Sequence, residues 1–102
     1  MKSDSRLEKV LTAGKFAVTA ELGPPQNADP EAIKKKAQYC IGNVDGANIT
    51  DNQTAIVRMS SIAAAAIAIS CGVEPVVQMV CRDRNRIAMQ SDILGAAALG
   101  VK

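Results

Sequence analysis

Short apolar runs alternate with amphipathic segments along the chain. Three runs, at residues 16–22, 44–50 and 74–81, are rich in strand-forming residue types and end at glycine, proline or polar residues. The segments that follow them carry apolar residues at helical spacing. This pattern predicts three strand-helix units in strict alternation, and the crossover helices make the strands parallel.

Local signals mark where the first helices begin. Ser5 is a typical cap for a short lead-in helix, and Gly14 is a typical stop. Asp29 followed by Pro30 predicts the start of the next helix. One face of that helix is expected to be apolar and to carry Ile33, Ala37, Cys40 and Ile41.

The two later helices are predicted from their apolar pattern. Residues 55–71 are rich in alanine and apolar on nearly all sides in the middle, which favours a helix covered on more than one face. The last helix is predicted to begin near Asn85 and to end before Gly100. Its inward-facing residues are expected to be Ile87, Leu94 and Ala97. The chain is thus expected to divide into a lead-in helix at residues 1–15 and three strand-helix units at residues 16–102.

The composition of the 102 residues limits the class of protein. Apolar residues make up 48%, enough for one modest core, whereas a complete (β/α)8 barrel takes about 250 residues. The net charge of +2, with both signs interspersed, favours neither nucleic acid nor a membrane as partner. Three widely spaced cysteines and no histidine predict no disulfide framework and no metal site. These features, together with a polar N-terminus, fit a cytoplasmic protein.

Glu21 is the first candidate for chemistry, because functional groups of parallel α/β sheets gather at the carboxyl ends of the strands. Strand alternation turns Glu21 to the face opposite Ala20, toward the interior of a barrel. A carboxyl group buried there keeps its proton more readily and suits proton donation. The alternatives are a surface carboxylate on an edge strand and a structural ion-pair partner.

Two polar clusters follow the next strands. Asn48 and residues 50–54 offer hydrogen-bonding groups for the polar edge of a heterocycle or for a phosphate, although turn and helix capping explains them equally well. The exit loop at residues 82–86 is suited to bind a pyrophosphate or a carboxylate, and the alternative is a solvated, internally paired loop. The roles of its arginines, Arg82, Arg84 and Arg86, stay open.

Three segments together resemble the methylenetetrahydrofolate reductase family. They are residues 18–25 (VTAELGPP), 48–55 (NITDNQTA) and 81–86 (CRDRNR). The resemblance extends from about residue 16 to residue 102 and looks closest to a bacterial branch with the same arginine-rich loop. It implies an α/β fold of the (β/α)8, or TIM, barrel type, of which this chain is the N-terminal fragment with about three parallel strand-helix units.

The resemblance also implies an activity. The family binds a flavin, FAD or alternatively FMN, takes electrons from NADH or NADPH, and reduces 5,10-methylenetetrahydrofolate to 5-methyltetrahydrofolate. This reaction supplies the methionine or acetyl-CoA pathway of one-carbon metabolism. Glu21 matches the glutamate that protonates N10 of the folate as general acid, so that the ring opens to a 5-iminium cation that accepts hydride from the reduced flavin.

The same resemblance implies the binding residues. Thr50 matches a flavin-contacting threonine, and Asp51 beside it is expected in the cofactor site. Gln78 stands where some relatives have a flavin-contacting histidine, and it is expected to contact both flavin and substrate. Glu21 is expected to contact the substrate as well as to protonate it.

Other readings of the sequence remain. The chain is alternatively a non-catalytic flavin- or pterin-binding module that a partner chain completes, or part of a pterin-linked methyltransferase barrel, which needs no flavin. A homo-oligomer and a partner redox subunit are both compatible with the sequence. With three of eight barrel units the isolated chain is expected to be inactive.

Overall fold

A computed structural model gives the structure of this chain, and residues 3–102 are described. The helices and strands within this range are α1 (Arg6–Thr12), β1 (Thr19–Leu22), α2 (Pro30–Cys40), β2 (Gly46–Ile49), α3 (Ser61–Ser70), β3 (Pro75–Val77) and α4 (Arg86–Ala98). Two short 3₁₀ turns, Gln53–Ala55 and Cys81–Asp83, follow β2 and β3. The alternation of strands and helices that the apolar pattern predicts is confirmed.

The three strands form one parallel sheet in the order β1-β2-β3. Glu21 on β1 lies opposite Asn48 on β2, which in turn lies opposite Val76 on β3. Within the described residues the outer edges of β1 and β3 have no neighbouring strand. The arrangement confirms the predicted α/β fold and corresponds to the first part of a (β/α)8 barrel.

One face of the sheet is covered by α2 and α3. Leu22 and Ile49 are fully buried on this face. The buried residues that the two helices add are Ile33, Ala37 and Cys40 from α2 and Ser61, Ala64, Ala65 and Ala68 from α3. The opposite face, which carries Glu21, Asn48 and Val76, is here called the open face. Because side chains alternate along a strand, the core and the candidate chemistry lie on different sides of the same sheet.

The predicted helix caps are confirmed. Ser5 Oγ accepts a hydrogen bond from the Glu8 amide at 3.1 Å, and Asp29 Oδ1 accepts one from the Glu31 amide at 2.9 Å. Asn85 Oδ1 caps α4 in the same way, through the Ala88 amide at 2.9 Å. These residues satisfy amides that the first turn of a helix leaves without a partner.

Several predicted boundaries are wrong by a few residues. Each strand is shorter than its apolar run, and β1 begins at Thr19 because the Val18 amide bonds to the Asp45 carboxylate at 3.0 Å instead of to a strand. Phe16, expected in the strand, is 91% exposed. Ile41, expected on the buried face of α2, lies just past the end of that helix and is 47% exposed.

The alanine-rich helix α3 begins at Ser61, six residues later than the predicted position 55. Asn52, Thr54 and Ala55 have positive φ angles of 41°, 59° and 59°, which a right-handed helix does not allow. Ser60 then caps the helix by accepting the Ala63 amide at 3.2 Å. The polar loop after β2 is therefore longer than the sequence pattern indicates.

The inward face predicted for α4 is wrong for this chain. Ile87 is 71% exposed and Leu94 73% exposed, Ala97 is also exposed, and among the described residues of the helix only Ala96 is buried. A helix that follows a parallel strand packs against that strand and the next one. Because β3 is the edge of the described sheet, the second strand against which α4 would pack is not among the described residues.

The lead-in helix α1 lies at the amino ends of the strands. Arg6 donates its backbone amide to Glu74 Oε2 at 2.6 Å and its Nε to Asp45 Oδ1 at 2.8 Å. Leu7 lies over Gly46 on the amino end of the open face, beside a cavity of about 470 Å³. This end of the sheet is opposite to the end that holds the candidate site. The division at residue 15 stays a prediction, and Met1 and Lys2 lie outside the described residues.

Candidate functional site

The carboxyl ends of the three strands bring the predicted site residues to one part of the open face. Glu21, Asn48 and Val76 form one row across the sheet. Continuing the same register by two residues places Gly23, Thr50 and Gln78 in the next row. These residues are far apart in sequence but lie at the same end of the sheet: Glu21 is on β1, and Thr50 and Gln78 directly follow β2 and β3.

Glu21 lies on the face predicted for it but is not buried. The strand turns Ala20 and Leu22 toward the core and Glu21 to the open face, where its side chain is exposed. Among the described residues its carboxylate has no hydrogen bond and no ion pair. The expected burial is therefore not seen in this chain, because no strand of the described residues covers the open face from the other side.

Thr50 is a buried polar residue at this end whose hydroxyl has no partner among the described residues. It is 4% exposed, and its Oγ1 is a buried atom with no hydrogen bond among the described residues. A Cβ on Gly23 would lie 3.7 Å from this oxygen, so the hydroxyl is packed against the β1 exit loop. Leaving a buried hydroxyl without a hydrogen bond costs about 1–3 kcal/mol, which favours a ligand that supplies the missing bond.

Gln78 has a fixed backbone and a free side chain. Its amide donates to the Ile49 carbonyl at 3.0 Å, which extends the β2–β3 pairing by one residue. Its carbonyl accepts a hydrogen bond from the Ser61 hydroxyl at 2.9 Å, which ties it to the start of α3. The side-chain amide is exposed and bonds to nothing within residues 3–102, so it is available to a ligand on the open face.

Asp51 follows Thr50 in sequence, but its carboxylate points into the interior of the protein. Its side chain is fully buried, and Oδ2 accepts the Val80 amide at 2.8 Å. Both carboxylate oxygens also accept hydrogen bonds from the Arg84 guanidinium. Burial acts to raise the pKa of Asp51, but the bonds from Arg84 and Val80 outweigh it and hold that pKa below its ordinary value. Asp51 is therefore an ionised group with its hydrogen-bonding capacity largely occupied.

The neighbouring polar residues fulfil turn and ion-pair roles. Asn52 Oδ1 accepts the Arg58 amide at 2.9 Å, which supports the capping alternative for this residue. Arg82 pairs with Asp83 at 2.8 Å in an exposed turn, as expected of a solvated, internally paired loop. Arg86 begins α4 and has no ion pair with any of the described side chains. Of the three arginines, Arg84 alone is largely buried, with a side chain that is 14% exposed.

The loop after β1 is held through three consecutive backbone carbonyls. Lys36 Nζ donates to the Gly23 carbonyl at 2.6 Å, Arg58 Nη1 to the Pro24 carbonyl at 3.3 Å, and the Met59 amide to the Pro25 carbonyl at 2.8 Å. Proline has no amide hydrogen, so this loop cannot be held by donating its own hydrogen bonds at Pro24 and Pro25. Donors from α2 and from the β2 exit loop hold it instead, next to Glu21.

Comparison with known families decides the assignment. The family model described as methylenetetrahydrofolate reductase matches residues 6–102. The chain belongs to the methylenetetrahydrofolate reductase family. A search of curated proteins found no significant match, and a search of solved structures found none either. The resemblance carried by the three sequence segments is confirmed, and with it the assignment to a folate-linked oxidoreductase family.

The residues present fit the flavin that methylenetetrahydrofolate reductases bind. The unpartnered Thr50 hydroxyl and the free Gln78 amide lie at the same end of the open face, and both are suited to hydrogen-bond the polar edge of a heterocycle. No group of three or more Cys, Asp or Glu side chains within residues 3–102 is arranged to hold a metal ion. No helix in the described part of the chain is long and apolar enough to cross a membrane.

Sequence reasoning missed the pairing of Asp51 with Arg84. The two residues are 33 positions apart, and the arginines at 82, 84 and 86 alternate, so the sequence does not tell which of them turns inward. One signal was available, since an acidic residue directly after a buried strand needs a partner if it is buried. An arginine in the exit loop of the adjacent strand is a suitable ion-pair partner for such an acid.

Proposed function

We propose that this chain provides part of the catalytic site for flavin-dependent reduction of 5,10-methylenetetrahydrofolate to 5-methyltetrahydrofolate. The observation that carries the proposal is the juxtaposition of an exposed carboxylate, an unpartnered buried hydroxyl and a free amide on one end of the open face. They belong to Glu21, Thr50 and Gln78. Membership of the family supports this reaction over the methyltransferase alternative.

Glu21 is proposed as the general acid and as a contact of the substrate. Its carboxyl group donates a proton to N10 of the folate, the bond between N10 and the bridging carbon breaks, and that carbon becomes part of a 5-iminium cation. The exposure of Glu21 on the open face supports access by a substrate. Cover from bound ligands and from further barrel strands would then exclude water and favour the protonated form.

Thr50 and Gln78 are proposed to bind the cofactor, with Gln78 also close to the folate. A threonine hydroxyl donates one hydrogen bond and accepts others, and a glutamine amide does both, so each suits the nitrogen and oxygen atoms at the edge of a flavin. When bound, the flavin supplies the hydride for the iminium carbon. Asp51 is proposed to belong to the same site, through the loop that its carboxylate holds.

FAD is the proposed flavin, with FMN as the alternative, and NADH or NADPH is the proposed electron donor. The absorbance spectrum of the protein purified from its natural gene tests this proposal. Flavin absorbance bands, bleached by NADH or NADPH and restored by methylenetetrahydrofolate, are expected. A colourless protein that fails to reduce this folate when FAD is supplied would exclude the reductase. A cytoplasmic location and a partner redox subunit stay predictions.

A second candidate is a non-catalytic flavin- or pterin-binding module completed by a partner chain. The unpaired edges of β1 and β3 and the exposed apolar residues of α4 favour it. Flavin binding without folate reduction, and restoration of the activity by a second chain, would support this candidate over the first.

A further inference from the structure

The backbone of Val80, in the exit loop of β3, is bonded to both members of a side-chain pair that joins this loop to the exit loop of β2. Its amide donates to Asp51 Oδ2 at 2.8 Å, and its carbonyl accepts Arg84 Nη1 at 3.1 Å. Arg84 and Asp51 are themselves paired through two hydrogen bonds. Val80, Asp51 and Arg84 thus form a closed ring of hydrogen bonds across the two loops, in which each member bonds to both of the others.

This ring lies beside both proposed flavin contacts. Thr50 is the residue immediately before Asp51, and Gln78 is two residues before Val80. A displacement of the β2 exit loop relative to the β3 exit loop would therefore change the separation of the Thr50 hydroxyl and the Gln78 amide. The ring sets that separation without using either side chain.

The ring resists such a displacement for an electrostatic reason. The Asp51 side chain is fully buried, and opening the ring would leave its charge without a partner in a place that water does not reach. The paired geometry of guanidinium and carboxylate also fixes their relative orientation, which a lysine does not reproduce. Arg84 Nε extends the link to Asp92 on α4, at 3.0 Å.

We propose that Asp51 and Arg84 are positioning residues for the flavin, which hold Thr50 and Gln78 at the separation that the cofactor requires. This inference rests on the proposed function and assigns a role to one of the three arginines of the exit loop. Asp51 then acts on the flavin through the loops and not through a contact of its carboxylate. Arg84 likewise acts from behind the site and makes no contact with the pyrophosphate of FAD.

The test uses the protein purified from its natural gene, with FAD as the probe. The variants are Asp51→Asn, Arg84→Met, Arg84→Lys and the double variant Asp51→Asn/Arg84→Met. Asp83→Asn is the matched control, since it removes a carboxylate from an exposed pair in the same turn. The readouts are the dissociation constant of FAD from quenching of its fluorescence, the shape of its visible absorbance bands, and the melting temperature of the apoprotein.

Asp51→Asn and Arg84→Met are each expected to weaken FAD binding by about tenfold, similar to the loss of metal affinity when a supporting contact around a bound metal is removed. The double variant is expected to bind no more weakly than either single one, because each single change already opens the ring. Altered absorbance bands of the flavin are expected in these two variants and in the double variant, and bands closer to those of the wild type are expected in Arg84→Lys. The control is expected to match the wild type in both readouts of the flavin.

Other results would overturn the inference. Unchanged FAD binding at a temperature where the variants are folded, together with a lower melting temperature of the apoprotein, would make the pair purely structural. Weaker binding in Asp51→Asn alone would make Asp51 a direct ligand. If Arg84→Met does not fold, unchanged FAD binding and unchanged absorbance bands in both Arg84→Lys and Asp51→Asn would give the same refutation. A wild type that binds no flavin would refute the proposed function and this inference together.

Discussion

Glu21 and Asn48 occupy opposite positions on neighbouring parallel strands, and both lie on the sheet face that α2 and α3 do not cover. Neighbouring strands are about 4.8 Å apart, so a ligand that reaches one of these side chains lies close to the other. The carboxyl group that we propose as proton donor thus lies beside an amide that both donates and accepts hydrogen bonds. Glu21 and Asn48 lie one row closer to the amino ends of the strands than Thr50.

Replacing Glu21 by glutamine is expected to abolish folate reduction while sparing the flavin. An amide of the same shape is far too weak an acid to protonate N10, so we expect the turnover of methylenetetrahydrofolate to fall by about 10²–10⁴-fold. Stopped-flow absorbance measures the two half-reactions separately. Reduction of the flavin by NADH or NADPH is expected to be unchanged, and its reoxidation by the folate is expected to be slow.

Glu31→Gln is the matched control for this experiment. Glu31 is an exposed acid on α2 that pairs with Lys34 at 2.8 Å, away from the open face. Wild-type rates are expected for both half-reactions of this variant. Normal folate turnover in Glu21→Gln would remove Glu21 from the role of general acid.

Replacing Thr50 by valine is expected to have opposite effects on the apoprotein and on cofactor binding. The Thr50 hydroxyl is buried without a partner, so a methyl group in its place leaves the apoprotein equally stable or stabilises it by about 1 kcal/mol. The FAD dissociation constant is expected to rise by about 3- to 10-fold, the effect of losing one neutral hydrogen bond. Thermal melts without FAD and fluorescence titrations with FAD measure the two effects.

Thr50→Ser keeps the hydroxyl and serves as the control. It is expected to bind FAD as the wild type does. A clear loss of apoprotein stability in Thr50→Val would indicate that the hydroxyl already has a partner before the cofactor binds, contrary to the structure.

The Asp51 carboxylate is expected to make the protein sensitive to acid. Its pKa in the folded chain lies below the ordinary value of 3.8, so its stabilising effect is complete above that value and disappears as the pH falls through the lowered pKa. At neutral pH Asp51→Asn is expected to lower the free energy of unfolding by about 3 kcal/mol, since it breaks a buried ion pair. The difference from the wild type is expected to shrink on acidification below pH 3.8.

Urea unfolding at a series of pH values measures this difference. Asp83→Asn, in an exposed pair, is expected to differ little from the wild type at neutral pH. A stability difference for Asp51→Asn that stays constant down to the acid transition would contradict the assigned ion pair.

Replacing Thr54 by glycine is expected to stabilise the β2 exit loop. Thr54 has a φ of 59° and a ψ of 25°, which costs a residue with a Cβ about 1–2 kcal/mol. Glycine removes this cost but loses about 0.5–1 kcal/mol through its greater freedom in the unfolded chain. A net gain of up to about 1 kcal/mol is expected in the free energy of unfolding.

The control replaces the preceding residue, Gln53, by glycine. Gln53 does not have a positive φ, so Gln53→Gly is expected to destabilise the protein. If both variants lose stability equally, the left-handed conformation of Thr54 is not strained in solution.

Local signals made most of the fold predictable. Ser5, Asp29 and Asn85 cap helices through contacts within three residues, and such contacts depend on little else in the chain. The start of α3 was missed because a largely apolar pattern continues back to residue 55, across backbone angles that the sequence does not reveal. Ser60 was the available signal, a good cap residue placed two positions before the uninterrupted apolar run at residues 62–69.

The candidate site was predictable in part. Alternation along β1 gave the correct face for Glu21, because neighbouring residues of a strand point to opposite sides. The exposure of Glu21 was not predictable, because it depends on what covers the open face and not on β1 itself. The pairing of Asp51 with Arg84 depends on which arginine of an alternating series turns inward, and this is decided by the packing of two loops.

The contacts of α1 have a consequence for the order of folding during synthesis. Arg6 bonds to Asp45 and to Glu74, which are 39 and 68 residues further along the chain. A helix of seven residues with no buried residue of its own is not stable alone in water. During synthesis α1 must therefore wait for β3, and it is placed only after the sheet beneath it has formed.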